Sequence, residues 1–79
     1  MTGLNSAKFH FKGRTAHAGG DPHNGRSALD AVELTDIGAN YLREHVPSDV
    51  RIHYTIVDGG VAPNIVPDKA VVWYYMRAF

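Results

Sequence analysis

Three patterns in this 79-residue chain predict an α+β domain with an antiparallel sheet and one helix on one face. Ala7-Lys8-Phe9-His10-Phe11-Lys12-Gly13 alternates apolar and polar residues, the period of a strand with one buried side. A helical repeat follows from about Ala28 to His45, and two β-branched runs, Val50 to Val57 and Ala70 to Met76, close the chain. Strand, helix, strand, strand is the opening of a ferredoxin-like β-α-β-β-α-β sandwich, here truncated to β-α-β-β.

In the first strand Ala7, Phe9 and Phe11 point to one side, and Lys8, His10 and Lys12 to the other. Gly13 to Pro22 is too rich in glycine for a regular element, and a long loop this early calls for a task. Ser27-Ala28-Leu29-Asp30 reads as a capping box, with Asp30 where Glu or Gln is commoner. Asp30 and Glu33 near the start of the helix, and Arg43 and His45 near its end, suit the helix dipole. Pro47 stops it.

That helix carries more apolar surface than one sheet requires. At 100° per residue, Ala28, Ala31, Val32, Thr35, Ala39, Leu42 and Val46 form a stripe of mostly small side chains. Leu34, Ile37 and Tyr41 form a second ridge away from it, at spacing i, i+3 and i+7. Two readings of the ridge stand: a surface covered by another part of a longer chain, or a helix-to-helix dimer contact.

In the second strand Ile52, Tyr54 and Ile56 share one face, opposite Arg51, His53 and Thr55. Ala70 to Met76 is apolar on both faces, which predicts a central strand. Between these strands lies Gly59-Gly60-Val61-Ala62-Pro63-Asn64-Ile65-Val66-Pro67-Asp68, about twice what a tight hairpin needs. Its glycines and prolines end one strand and delay the next. Asn64, held between Pro63 and Ile65, is a side chain that both donates and accepts hydrogen bonds.

Composition narrows the function classes. Eight basic and eight acidic residues balance to zero, which argues against nucleic acid as a partner. No run approaches the roughly 18 apolar residues of a membrane span, and no signal-peptide core opens the chain. There are no cysteines, so disulfides supply no stability, and a cytoplasmic location is expected. His10, His17, His23, His45 and His53 lack structural-zinc spacing, so no metal is expected in this segment. A chain this short is marginal alone, which leaves association as its route to more buried area.

Taken singly, His17, Asn64 and Arg77 each have a bland reading. A loop histidine is usually a solvated surface group. Asn64 is a residue that stabilises its own turn, and an arginine at a strand end is normally exposed. Together with their neighbours they match a pattern. Phe11-Lys12-Gly13-Arg14-Thr15-Ala16-His17-Ala18, Asn24-Gly25-Arg26-Ser27-Ala28-Leu29-Asp30-Ala31-Val32, the Gly59-to-Asp68 loop and Tyr74-Tyr75-Met76-Arg77-Ala78 resemble the lid, or dimerisation, domain of the M20 metallopeptidase and amidohydrolase family. The likeness runs from about Ser6 to Phe79 and is nearest the aminobenzoyl-glutamate hydrolase branch.

This resemblance implies a homodimer that pairs helices and sheet edges, using Leu34, Ile37, Tyr41 and the Val50-to-Val57 edge. It implies that His17 reaches the partner subunit's active site and stabilises the oxyanion. Asn64 would bond the substrate near the scissile group, and Arg77 would grip its terminal carboxylate. The implied substrate is a small N-acyl amino acid such as aminobenzoyl-glutamate. Two divalent metal ions, usually zinc, and the general base would belong to the parent's catalytic domain. That domain is absent from these residues, so this segment, 1–79, is expected to be inert by itself and to read as an excised piece. A stand-alone regulatory domain binding an amino acid at a dimer interface is the competing expectation. A sheet stacking RNA on Trp73, Tyr74 and Tyr75 lacks the motif and the basic excess that role needs.

Overall fold

The strand marked as apolar on both faces is the middle one. In the computed structural model, which describes residues 3–78, the elements are β1 (Gly3–Lys12), α1 (Ala28–Leu42), β2 (Arg51–Asp58) and β3 (Lys69–Ala78). Single 3-10 turns form at Pro22–Asn24 and Arg43–His45. The sheet order is β1-β3-β2 with both pairings antiparallel. This is the truncated ferredoxin-like arrangement. Phe79, the end of the expected span, lies outside the described residues.

Register decides which residues meet α1. Phe11 pairs with Ala70, Phe9 with Val72 and Ala7 with Tyr74. Ile52 pairs with Met76 and Tyr54 with Tyr74. These positions share the helix-facing side, and Ala28, Val32, Ile52, Ala70, Val72 and Tyr74 make the buried core. Val57 is an extra residue between the Ile56–Val72 and Asp58–Val71 pairs, a bulge that bends the end of this edge strand.

Two elements differ from expectation. β1 starts at Gly3 rather than Ala7, since Leu4 and Asn5 find ladder partners in Arg77 and Met76 although they lack strand-like alternation. α1 ends at Leu42, and the chain then tightens to a 3-10 turn. Leu42, the last residue of α1 and placed in the buried stripe by the 100° step, is half exposed. The cap is half of a box: Ser27 Oγ accepts from the Asp30 amide at 3.1 Å.

The core holds one polar group that apolar counting passes over. Asp36 is buried on the same helix face as Val32, and its Oδ1 accepts a hydrogen bond from the Tyr74 hydroxyl. Burial, and then the hydrogen bond to the carboxylate, push the Tyr74 phenol well above its usual range. The pair ties α1 to the central strand by a charge-assisted bond.

The molecule leaves much of itself uncovered. Its radius of gyration, 15.3 Å, exceeds the about 12 Å of a compact domain of this length. Its accessible surface is 5666 Å², against roughly 4,700 Å² for a folded monomer of this mass. No helix among the described residues is long and apolar enough to cross a membrane.

Candidate functional site

Two loops that are distant in sequence are zipped together beyond the sheet. The β1–β3 pairing continues through the Gly13 amide to the Asp68 carbonyl at 2.7 Å. Then Val66 N–H donates to Ala16 O and Ala18 N–H donates to Asn64 O, both at 2.9 Å. His17 thereby sits opposite Ile65 in an antiparallel bridge, with Asn64 one ladder position away opposite Ala18. A second bridge, Arg14 to Arg26, closes the early loop on itself, and Ala28 N–H donates to Pro67 O at 2.9 Å. The start of α1 and both loops therefore form one unit.

Glycine is required where these backbones touch. A Cβ on Gly13 would lie 2.0 Å from the Arg26 carbonyl oxygen. Gly60 has φ of 120°, a conformation side chains rarely adopt, and its amide donates to Asp58 Oδ1 at 3.2 Å.

His17 is exposed, yet its ring is not free to turn. Nδ1 accepts two backbone N–H groups, from Gly20 at 2.8 Å and Gly19 at 3.2 Å. The Asp21 amide donates to the His17 carbonyl at 2.8 Å and closes the turn beneath it. A neutral imidazole has one N–H, so with Nδ1 accepting, that hydrogen is on Nε2. Asn64 is also exposed, and its carboxamide makes no hydrogen bond among the described residues. Its turn is closed instead by the backbone, Ile65 N–H to Ala62 O at 3.2 Å. The local reading of Asn64, as the stabiliser of its own turn, therefore lacks its hydrogen bond.

Arg77 is elsewhere. At about 3.3 Å per residue, the Lys69–Arg77 length of β3 sets it roughly 26 Å from the loop junction. It lies on the sheet face away from α1, paired across the ladder with Leu4 and with Arg51. Arg51, opposite it, directs its Nη1 to the Ser48 and Val50 carbonyls. The same face carries Lys8, whose Nζ lies 4.8 Å above the Trp73 ring, and Trp73 Nε1 donates to Ser6 Oγ at 2.8 Å. Trp73 and Tyr75 face this side, whereas Tyr74 points into the core.

The ridge on α1 is uncovered. Leu34 is 70% exposed, Ile37 47% and Tyr41 68%. Ile37 borders a groove shared with Tyr54 and Ile56 of β2, which Glu33, Asp36 and Asn40 also line. Among the described residues no three His, Asp or Glu side chains gather as a metal site.

The sequence matches the family model of the M20 peptidase dimerisation domain over residues 2–79. It is 51% identical over 73 residues to a p-aminobenzoyl-glutamate hydrolase chain of Escherichia coli (strain K12), covering 91% of this chain and 15% of that protein. It is 38% identical over 68 residues to the Xaa-Arg dipeptidase of Mus musculus, covering 86% and 16%. Among solved structures it superposes on an aminobenzoyl-glutamate utilization protein from Klebsiella pneumoniae with TM-score 0.68 at 26% identity, over 98% of this chain and 20% of that one. A putative aminohydrolase from methicillin-resistant Staphylococcus aureus gives TM-score 0.77 at 21% identity, over 98% and 21%, a likeness of fold. The chain thus spans only 15–16% of the length of these curated relatives.

Proposed function

Since the chain belongs to the M20 peptidase dimerisation-domain family, we propose that it couples two subunits of a metal-dependent amidohydrolase and lends each neighbour a hydrogen-bond donor. The parent cleaves the amide bond of an N-acyl amino acid such as aminobenzoyl-glutamate. Its two divalent metal ions, zinc by resemblance, and its general base reside in a catalytic domain outside these residues. This segment alone is inactive.

The observation that carries the reading is the bridged pair of loops. It brings the backbones of the His17 and Asn64 loops together from positions 47 residues apart in the chain and leaves both side chains exposed, with the Asn64 carboxamide making no hydrogen bond among the described residues. As the scissile carbonyl is attacked, its oxygen gains negative charge. The His17 Nε2–H is the group that meets it, a bond stronger in the transition state than in the ground state. Asn64, one ladder position away, bonds the substrate near the same centre. Arg77 is too distant to touch that substrate molecule. One lid therefore serves two centres: its loop end enters the partner's, and its Arg77 end closes on a carboxylate in the other. Two copies joined along Leu34, Ile37, Tyr41 and the β2 edge satisfy both demands and cover the exposed ridge.

Arg77→Ala in the intact parent tests this division. Loss of a charge-assisted fork should raise KM for a carboxylate-bearing substrate by about 10- to 100-fold with kcat little changed. An unchanged KM would remove Arg77 from the substrate site.

A further inference from the structure

We propose that the backbone amides of Gly19 and Gly20 are the positioning device of this site: they clamp the His17 imidazole as its Nε2–H tautomer and present that single N–H outward as a donor. The inference rests on the reading of His17 as the oxyanion's partner and says what makes it fit for that role.

A neutral histidine in water exchanges between two tautomers and several rotamers. Only one tautomer donates from Nε2; the other would turn a lone pair towards an oxygen that is becoming negative. Two donors aimed at Nδ1, at 2.8 and 3.2 Å, are incompatible with a hydrogen on that nitrogen. They exclude the wrong tautomer and hold χ2 as well, because rotating the ring breaks both bonds. The residue's own backbone is fixed on either side, by the bond from Asp21 N–H to His17 O and by the bond from Ala18 N–H to Asn64 O. The donor is therefore set before any substrate arrives, which is the condition for strong electrostatic stabilisation.

The clamp also accounts for the glycine pair. Neither glycine has the positive φ that would make it conformationally necessary, since that is confined to Gly60 among the described residues. Each lies close to the ring instead. A Cβ on Gly20 would meet Nδ1 at 3.3 Å and Cγ at 3.8 Å, and one on Gly19 would meet Cε1 at 3.4 Å. Bare backbone brings two N–H groups to one acceptor, and a single Cβ at either position would ask at most a few tenths of an ångström of give from the ring.

Ring nitrogen spectroscopy on the ¹⁵N-labelled chain reads the clamp directly. The expected result is a pyridine-type Nδ1 and a pyrrole-type Nε2 for His17, with N–N couplings across the hydrogen bonds from Gly20 and Gly19. A mixture of tautomers, as in free histidine, or an Nδ1–H ring would overturn the proposal. In the intact parent, Gly20→Pro removes the shorter bond and should lower kcat about tenfold, the worth of one hydrogen bond. Gly20→Ala retains the N–H and should restore most of that loss. In a His17→Ala background Gly20→Pro should have no further effect, because there is no ring left to position. An equal additional loss there would show a merely structural role and refute the assignment. A clamp seen by spectroscopy with kcat indifferent to His17→Ala would instead strike down the oxyanion reading on which the proposal rests.

Discussion

In the intact enzyme His17→Ala is expected to lower kcat by about 10²- to 10³-fold, the usual cost of removing one oxyanion donor, while KM stays within a few-fold. The substitution is clean on structural grounds. His17 is exposed, and its ring meets only two backbone amides, which water can satisfy when the ring is gone. The bridge to Ile65 is made by main chain and survives truncation at Cβ. A bond that strengthens as the carbonyl oxygen becomes an oxyanion appears in kcat; one equally strong to substrate and transition state appears in KM. Steady-state kinetics with thermal unfolding on the same sample separates the cases. A loss confined to KM would assign His17 to ground-state binding and end its catalytic role.

Ile37→Glu is expected to break the dimer without unfolding the subunit. Ile37 lies in the middle of the uncovered ridge and is 47% exposed in the single chain, so the monomer fold does not depend on it. In a two-fold contact the same residue meets its partner's ridge twice over, and a carboxylate placed there is desolvated with no cation to pair with it. A loss of at least about 2 kcal/mol, typical of a residue central to an interface, weakens association by roughly 30-fold or more. Sedimentation across a concentration series reads this directly, and circular dichroism checks the fold. Unaltered association would move the contact off α1, and a change at the β2 edge would then be the one to make.

Most of the scaffold is legible in residue patterns, and the reasons for the exceptions are local. β3 is identifiable as central because Ala70 to Met76 is apolar on both faces, and it pairs on both sides. The first four residues of β1 carry no such pattern; their conformation comes from a ten-residue partner strand that offers them a ladder. Asp36 sits one helical turn beyond Val32 on the buried stripe, but a carboxylate there makes sense only with Tyr74, which is 38 positions away. The glycines after His17 are visible in the sequence as a loop. Their service as donors to the ring is a matter of backbone direction, which residue type does not encode. Arg77 belongs to the same set of motifs as His17 and Asn64, and the length of β3 separates it from them.

Subunit mixing is the most direct test of an imidazole supplied across the two-fold. Parent enzyme carrying His17→Ala is dissociated and reassociated with parent inactivated in its catalytic domain, each preparation being nearly inactive alone. If the donor acts in the neighbouring subunit, each mixed dimer contains one complete centre, built from a live catalytic domain and the unmutated lid of its partner. Activity then reappears on mixing. If His17 serves its own subunit, one centre of the mixed dimer lacks the imidazole and the other lacks the catalytic machinery. Activity then stays at the level of the separate preparations, contradicting the account.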